Sequence, residues 1–236
     1  MKFISIPNPE KRMIEELEDL YPFNPFFSNA FYESCLELGY SAILFGCKER
    51  NKIINHCIGL ISDRFLRKSI LINSMHCSSY QNEFWYGFQK YCKKNRIWTV
   101  NIENYFSEPF TIPKLFGETE RFQRREYTIN LDRNNLYEKL SKNHKRNINK
   151  AKKNGFVIKR TQDYEASHIH LELILQSFKR REMEIKKNQI NFQLKSYIAY
   201  LKNNSGEIFQ AINDKIVHSS ILILKSKIGG YYQSPD

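Results

Sequence analysis

The sequence predicts an α/β (α+β) protein of two lobes, each with a mixed sheet flanked by helices. Three observations lead there. Helix-period and strand-period segments alternate through the first hundred residues. Residues 105–120 then lose all periodicity around Pro109, Pro113 and Gly117, which marks a connection. A second alternation follows it, ending in three closely spaced strand patterns. The predicted lobes are 1–120, connection included, and 121–236.

In the first lobe, residues 11–20 place Met13, Ile14, Leu17 and Leu20 at helical spacing. Ser28 precedes a second helical stretch, 29–38, that stops at Gly39, an N-cap and C-cap pair. Two apolar runs, 41–47 and 53–62, flank the polar turn 48–52 and read as a hairpin. Residues 69–73 form a further short strand. Phe84, Phe88 and Tyr91 lie on one side of a helix over 83–95, and 98–102 is the closing strand.

The second lobe is predicted to open with a strand at 125–131. A helix over 135–154 follows, with Leu136, Leu140, Ile148 and Ala151 on its apolar stripe and Gly155 at its end. Residues 156–160 are a strand, and Asp163 caps a helix running to about Arg181. A further helix spans 191–202. Strands at 207–212, 216–224 and 228–233 are separated by turns at 213–215 and 225–227. No internal repeat or low-complexity tract is visible.

The 236 residues include 17 Phe and 14 Tyr with 41% hydrophobic content, enough for sizeable cores and against global disorder. The N-terminal twenty residues carry no apolar run of signal-peptide type, and no stretch is long enough to span a bilayer. The five cysteines, Cys35, Cys47, Cys57, Cys77 and Cys92, are odd in number and scattered, with no C-x-x-C. That is the pattern of reduced thiols and predicts a cytoplasmic protein with neither a disulfide framework nor a zinc site.

Charge is concentrated. The chain carries a net +12, and residues 139–162 hold nine Lys and Arg with no Asp or Glu. Lys139, Lys142, Arg146, Lys150 and Lys153 recur three or four apart, so one continuous helix would carry them on one face. His144 falls in line with the opposite, apolar stripe and is expected to be packed. The bland alternative is a solvated basic face. The cluster points to an anion: a nucleic-acid backbone, an acidic lipid surface, or the phosphates of a small donor or acceptor.

The block at 136–160 resembles the helix–Gly–strand signature of the Fem-like branch of the GNAT acyltransferase superfamily. The order of features around it is similar too: a leading strand at 127–131, the Arg-bearing segment SFKRREMEI at 177–185, the turn within 210–217, and Gly229-Gly230-Tyr231-Tyr232. Asn24-Pro25-Phe26-Phe27 opening a helix before a hairpin resembles the family's first lobe. The resemblance implies two GNAT-like lobes. Because family members continue past the Tyr-rich strand, it also implies that the second lobe is incomplete within this chain.

For function, the resemblance implies transfer of an acyl or aminoacyl group to an amino group on a nucleotide-sugar or cell-envelope glycan precursor. The donor stays open between acyl-CoA and aminoacyl-tRNA. No Gly-rich pyrophosphate turn of the R/Q-x-x-G-x-G/A kind is present, and no insertion matches the long helical arm of the tRNA users.

Such chemistry needs held phosphates, an activated amine and a stabilised oxyanion. Lys142, Arg146 and Lys150 are candidates for phosphate contact, and Arg180 or Arg181 matches the family's helix-end arginine. Tyr232 and His144 are the candidate catalytic side chains, although each also fits a structural role. His168 and His170 are two apart on a helix and should face different ways, so they do not predict a metal site. His76-Cys77 has no partner pattern for a nucleophile. A tRNA- or nucleic-acid-binding module using 139–160 is the competing reading, weakened because Phe156 is the only aromatic residue in 139–162. Membrane insertion is disfavoured by the few large apolar residues on the helix.

Overall fold

A computed structural model describes residues 2–50, 52–64, 67–76, 81–105, 112–123, 125–131 and 135–233. The predicted α+β class is what the chain adopts: helices packed on two separate sheets.

The first sheet holds β1 (Lys2–Pro7), β2 (Ser41–Glu49), β3 (Lys52–Arg64), β4 (Arg67–Ile72), β5 (Met75–His76) and β6 (Ile97–Ile102). Its order is β1-β2-β3-β4-β6, with β5 paired to β3. All pairs are antiparallel except β4–β6. A parallel pair needs a crossover, and α3 (Gln81–Lys94) supplies it. β1 was not anticipated from sequence; it joins the sheet by pairing Lys2–Pro7 with 43–48 of β2.

β2 shows why an unbroken apolar run forms a strand. Its side chains alternate between two buried faces. Ala42 and Leu44 pack with Ile14 and Leu17 of α1 (Lys11–Leu20) and with Phe31 and Cys35 of α2 (Asn29–Glu37). Ile43, Phe45 and Cys47 instead pack with Phe84, Trp85 and Phe88 of α3. The predicted caps of α2 are present. Ser28 Oγ accepts from the Phe31 amide at 3.1 Å. Gly39 takes a φ of +86°, and the following amide of Tyr40 returns to the Cys35 carbonyl at 3.1 Å.

The second sheet is antiparallel, ordered β10-β9-β8-β7: β7 (Val157–Thr161), β8 (Gly206–Asn213), β9 (Ile216–Lys225) and β10 (Gly230–Gln233). α6 (Tyr164–Arg180) and α7 (Lys187–Lys202) cover one face, where Leu171, Ile174, Phe178 and Leu201 meet Ile208 and Leu222. Leu224, Tyr200 and Tyr231 reach into the first lobe's core. There Tyr231 meets Phe26 edge-on at 5.3 Å, and Tyr200 stacks on Phe31 at 5.8 Å.

Three expectations are corrected. Residues 125–131 form no strand: they belong to neither sheet, and Tyr127, Ile129 and Leu131 are exposed. Alternation alone cannot make a strand without an edge to pair with. Glu126 is nonetheless held by the Tyr231 hydroxyl at 3.2 Å.

The helix expected over 135–154 is broken into α4 (Leu136–Lys139) and α5 (Lys142–Lys153). Leu140 is extended, and Ser141 becomes the N-cap of α5, accepting from the His144 amide. A mid-pattern serine offers the backbone this alternative bond. Lys139 is thereby separated from the cations of α5. Finally, α7 begins at Lys187, four residues earlier than expected, with the Lys186 amide donating to Gln189 Oε1.

Candidate functional site

α6 positions one wall of a cleft of about 760 Å³. Asp163 caps the helix by accepting from the Glu165 amide at 3.1 Å, and the apolar face just described anchors it to the sheet. This orientation leaves the last turns, Ser177 to Arg181, lining the cleft with His170 deeper along the helix. His218, Ser219 and Ser220 of β9 and Tyr232 of β10 also line the cleft.

Three candidates from sequence therefore come together: Arg180, Arg181 and Tyr232 line the same cleft. Arg181 is held in place, its Nη2 donating to Ser177 Oγ at 3.0 Å and its guanidinium lying 5.6 Å from the Phe178 ring. Arg180 has no carboxylate partner among the described residues. Both cations also complement the negative end of the α6 dipole, with Lys179 beside them. Tyr232 is about half exposed and stands in strand register opposite Ile223.

The remaining candidates sit elsewhere. His144, Lys142, Arg146 and Lys150 belong to α5, which does not line the cleft. His144 is exposed rather than packed, its Nδ1 2.9 Å from Ser141 Oγ. No residue of α5 is buried. Lys145 donates to the Glu138 carbonyl and lies over the Tyr137 ring, and Arg146 donates to Asn143 Oδ1. Among the described residues no carboxylate pairs with Lys142, Arg146, Lys150 or Lys153. α5 ends as predicted, with Gly155 at φ +82°. The next residue, Phe156, meets the His218 ring at 5.2 Å, so the helix leads directly to a cleft wall.

Arg160, the last cation of the basic window, is committed to a carboxylate outside it. Its Nη2 lies 2.6 Å from Glu207 Oε1, which Lys225 also reaches at 3.1 Å. Burial opposes the charge on Glu207, but these two partners outweigh it and hold the carboxyl below its ordinary pKa.

His168 is exposed and His170 buried, so the two do face apart. No group of three His, Cys, Asp or Glu side chains suited to a metal ion occurs among the described residues. Cys35, Cys47 and Cys57 are buried free thiols, whose burial raises the Cys35 and Cys47 pKa values. Cys77 lies outside the described residues. No helix among them is long and apolar enough to cross a membrane.

The pairing of His170 with Ser220, fifty residues further along the chain, is decided by the tertiary structure. The His170 ring is buried, and its Nδ1 lies 2.7 Å from Ser220 Oγ. Burial pushes the imidazole pKa down to about 4. The available signal was the polar triplet 218–220 interrupting an otherwise apolar strand pattern. No family model matches the chain, and no curated protein matches it.

Proposed function

We propose that the chain is an N-acyltransferase and that the cleft between α6, β9 and β10 holds its anionic substrate. One observation carries the reading: Arg180 and Arg181 at the end of α6 and Tyr232 of β10 line one cleft. Guanidinium forks bind carboxylate or phosphate oxygens bidentately. The Tyr232 hydroxyl is a neutral donor suited to a developing oxyanion. The acceptor in this reading is an amino group on a nucleotide-linked sugar or a cell-envelope glycan precursor.

Lys142, Arg146 and Lys150 extend the phosphate-binding surface along α5, and the Phe156–His218 contact supports their nearness to the cleft. Acyl-CoA and aminoacyl-tRNA are the two candidate donors, both bearing phosphates. His144, bonded to its own cap serine, is given no catalytic part. A cytoplasmic setting suits the buried free thiols. The test is transfer of labelled acyl groups from acetyl-CoA or aminoacyl-tRNA to amino-sugar nucleotides. Transfer at undiminished rate by the Arg180→Ala/Arg181→Ala variant would remove the cleft from the mechanism.

A second reading is favoured by the exposed cations of α5, which among the described residues pair with no carboxylate and suit a nucleic-acid backbone. It predicts tRNA affinity whose logarithm falls with log salt by about 0.7 to 0.9 per phosphate neutralised. Binding insensitive to salt, or unchanged in Arg146→Ala, would exclude it.

A further inference from the structure

The inner end of the cleft is formed by His170 and Ser220, which the acyl-transfer reading leaves without a task. Their hydrogen bond is 2.7 Å long, and both residues line the cleft. His170 is 3% exposed, with its ring edge-on to Tyr197 at 5.0 Å. Desolvation keeps that ring neutral near pH 7. The pair is thus uncharged, and the Ser220 oxygen retains capacity for a second hydrogen bond.

Two more polar side chains lie behind it. Gln210 is the Cα partner of Ser220 across β8–β9, which places both on one face of the sheet. It is 4% exposed, and its Nε2 has no partner among the described residues. Ser167, one turn before His170 on α6, is fully buried with its hydroxyl equally unpartnered. Unpaired buried groups are destabilising, and an apolar filler would be more stable at either position. Concave sites lined by a few converging polar groups are where ligands are oriented.

At the other end, Arg180 follows His170 by ten residues, about 15 Å along the α6 axis. A ligand reaching both must be elongated.

We propose that His170 and Ser220 form a specificity-determining subsite that hydrogen-bonds an uncharged amide or hydroxyl of an elongated anionic ligand, whose charge rests on Arg180 and Arg181. The inference rests on the cleft assignment above and deepens it. An ammonium or a second carboxylate at the inner end would be desolvated beside a neutral ring, with no counter-charge next to it among the described lining residues. The same group recognised as an amide meets a ready hydrogen-bonding pair. The polarity of the cleft, cationic at the rim and neutral within, is what discriminates.

Calorimetric titration tests this with two elongated probes. N-acetyl-triglycine joins a carboxylate to amides, and UDP-N-acetylglucosamine joins a diphosphate to an amide and hydroxyls; UDP alone is the control for the second. At least one probe is expected to bind, showing whether the anion is carboxylate or phosphate. Arg180→Ala/Arg181→Ala should weaken it tenfold or more. Ser220→Ala and His170→Gln should weaken it about fivefold, with UDP affinity unchanged and Ser220→Thr retaining most of the binding. Unaltered affinity in both Ser220→Ala and His170→Gln, with loss in the arginine variant, keeps the cleft and overturns the subsite. Failure of both probes to bind overturns it as well. Loss in Ser220→Ala with no effect of the arginine variant overturns the rim, and the proposed acyl-transfer site with it.

Discussion

The Phe156 ring meets the His218 ring at 5.2 Å and an interplanar angle of 68°. That contact ties Phe156, three residues past the end of the basic helix, to the wall of the arginine-lined cleft. Two cationic regions thus border the wall that His218 belongs to, one reaching it through Phe156 after α5 and one lining the cleft at the end of α6.

This arrangement predicts a graded response to charge removal. Arg180→Ala/Arg181→Ala should lower kcat/KM for the proposed acyl transfer at least tenfold, since a hydrogen bond to a charged group contributes about 1.5–3 kcal/mol. Arg146→Ala and Lys142→Ala should raise KM for a phosphate-bearing substrate with little change in thermal midpoint, because α5 buries nothing. Unchanged kinetics in all of these variants would detach both regions from the reaction.

Stability should depend on two histidines. Burial pushes His56 and His170 down to about 4 from an ordinary 6.5. His56 also shares a 3.2 Å hydrogen bond with Tyr21. Between these pH values the unfolded chain binds more protons than the native one, so stability rises with pH there. The contribution is complete above about pH 6.5 and is lost as pH falls to about 4, on the order of 3 kcal/mol for each residue. Urea midpoints measured from pH 4 to 7 should climb in the wild type. In His56→Gln and His170→Gln the climb should be shallower.

Ser34 of α2 joins the lobes. Its Oγ lies 2.7 Å from Ser205 Oγ and 3.2 Å from the Ala199 carbonyl oxygen, all within a sealed contact. Ser34→Ala removes a partner from buried groups and should cost about 1–3 kcal/mol. Chemical denaturation followed separately by Trp fluorescence, which reports the first lobe alone, and by far-UV circular dichroism would show whether the two lobes still unfold together.

Gly87 makes the closest approach in the first lobe. A Cβ there would meet Phe3 Cγ at 2.2 Å. Gly87→Ala should destabilise by about 1–3 kcal/mol through overpacking, despite alanine's better helix propensity. Thermal denaturation should show the loss, and combining it with Phe3→Leu should relieve part of it. An unchanged midpoint in the single variant would contradict the tight α3–β1 packing.

Most elements were legible because their signals are local. The Ser28 and Asp163 caps, the Gly39 and Gly155 stops and the turn at 213–215 depend on neighbours in sequence, and each stands where predicted. β1 and the segment 125–131 show the limit from opposite sides. Lys2–Pro7 is a strand because β2 offers it an edge, while 125–131 has strand alternation and joins neither sheet. Alternation states a preference, and pairing is settled by which edges the packed sheets leave open. Ser141 belongs with these cases, since a cap and a mid-helix serine look alike until the backbone takes one course.

By itself the sequence determined the α+β class, the order of most elements, the concentration of cations at 139–162 and the identities of Arg180, Arg181 and Tyr232 as candidates. Tertiary structure alone decided that those three share a cleft, that α5 lies outside it, and that His170 meets Ser220 within it. The division has a physical cause. Caps, turns and periodicity are short-range properties of the backbone, whereas a cleft exists only where helix packing and strand register bring distant side chains to one place.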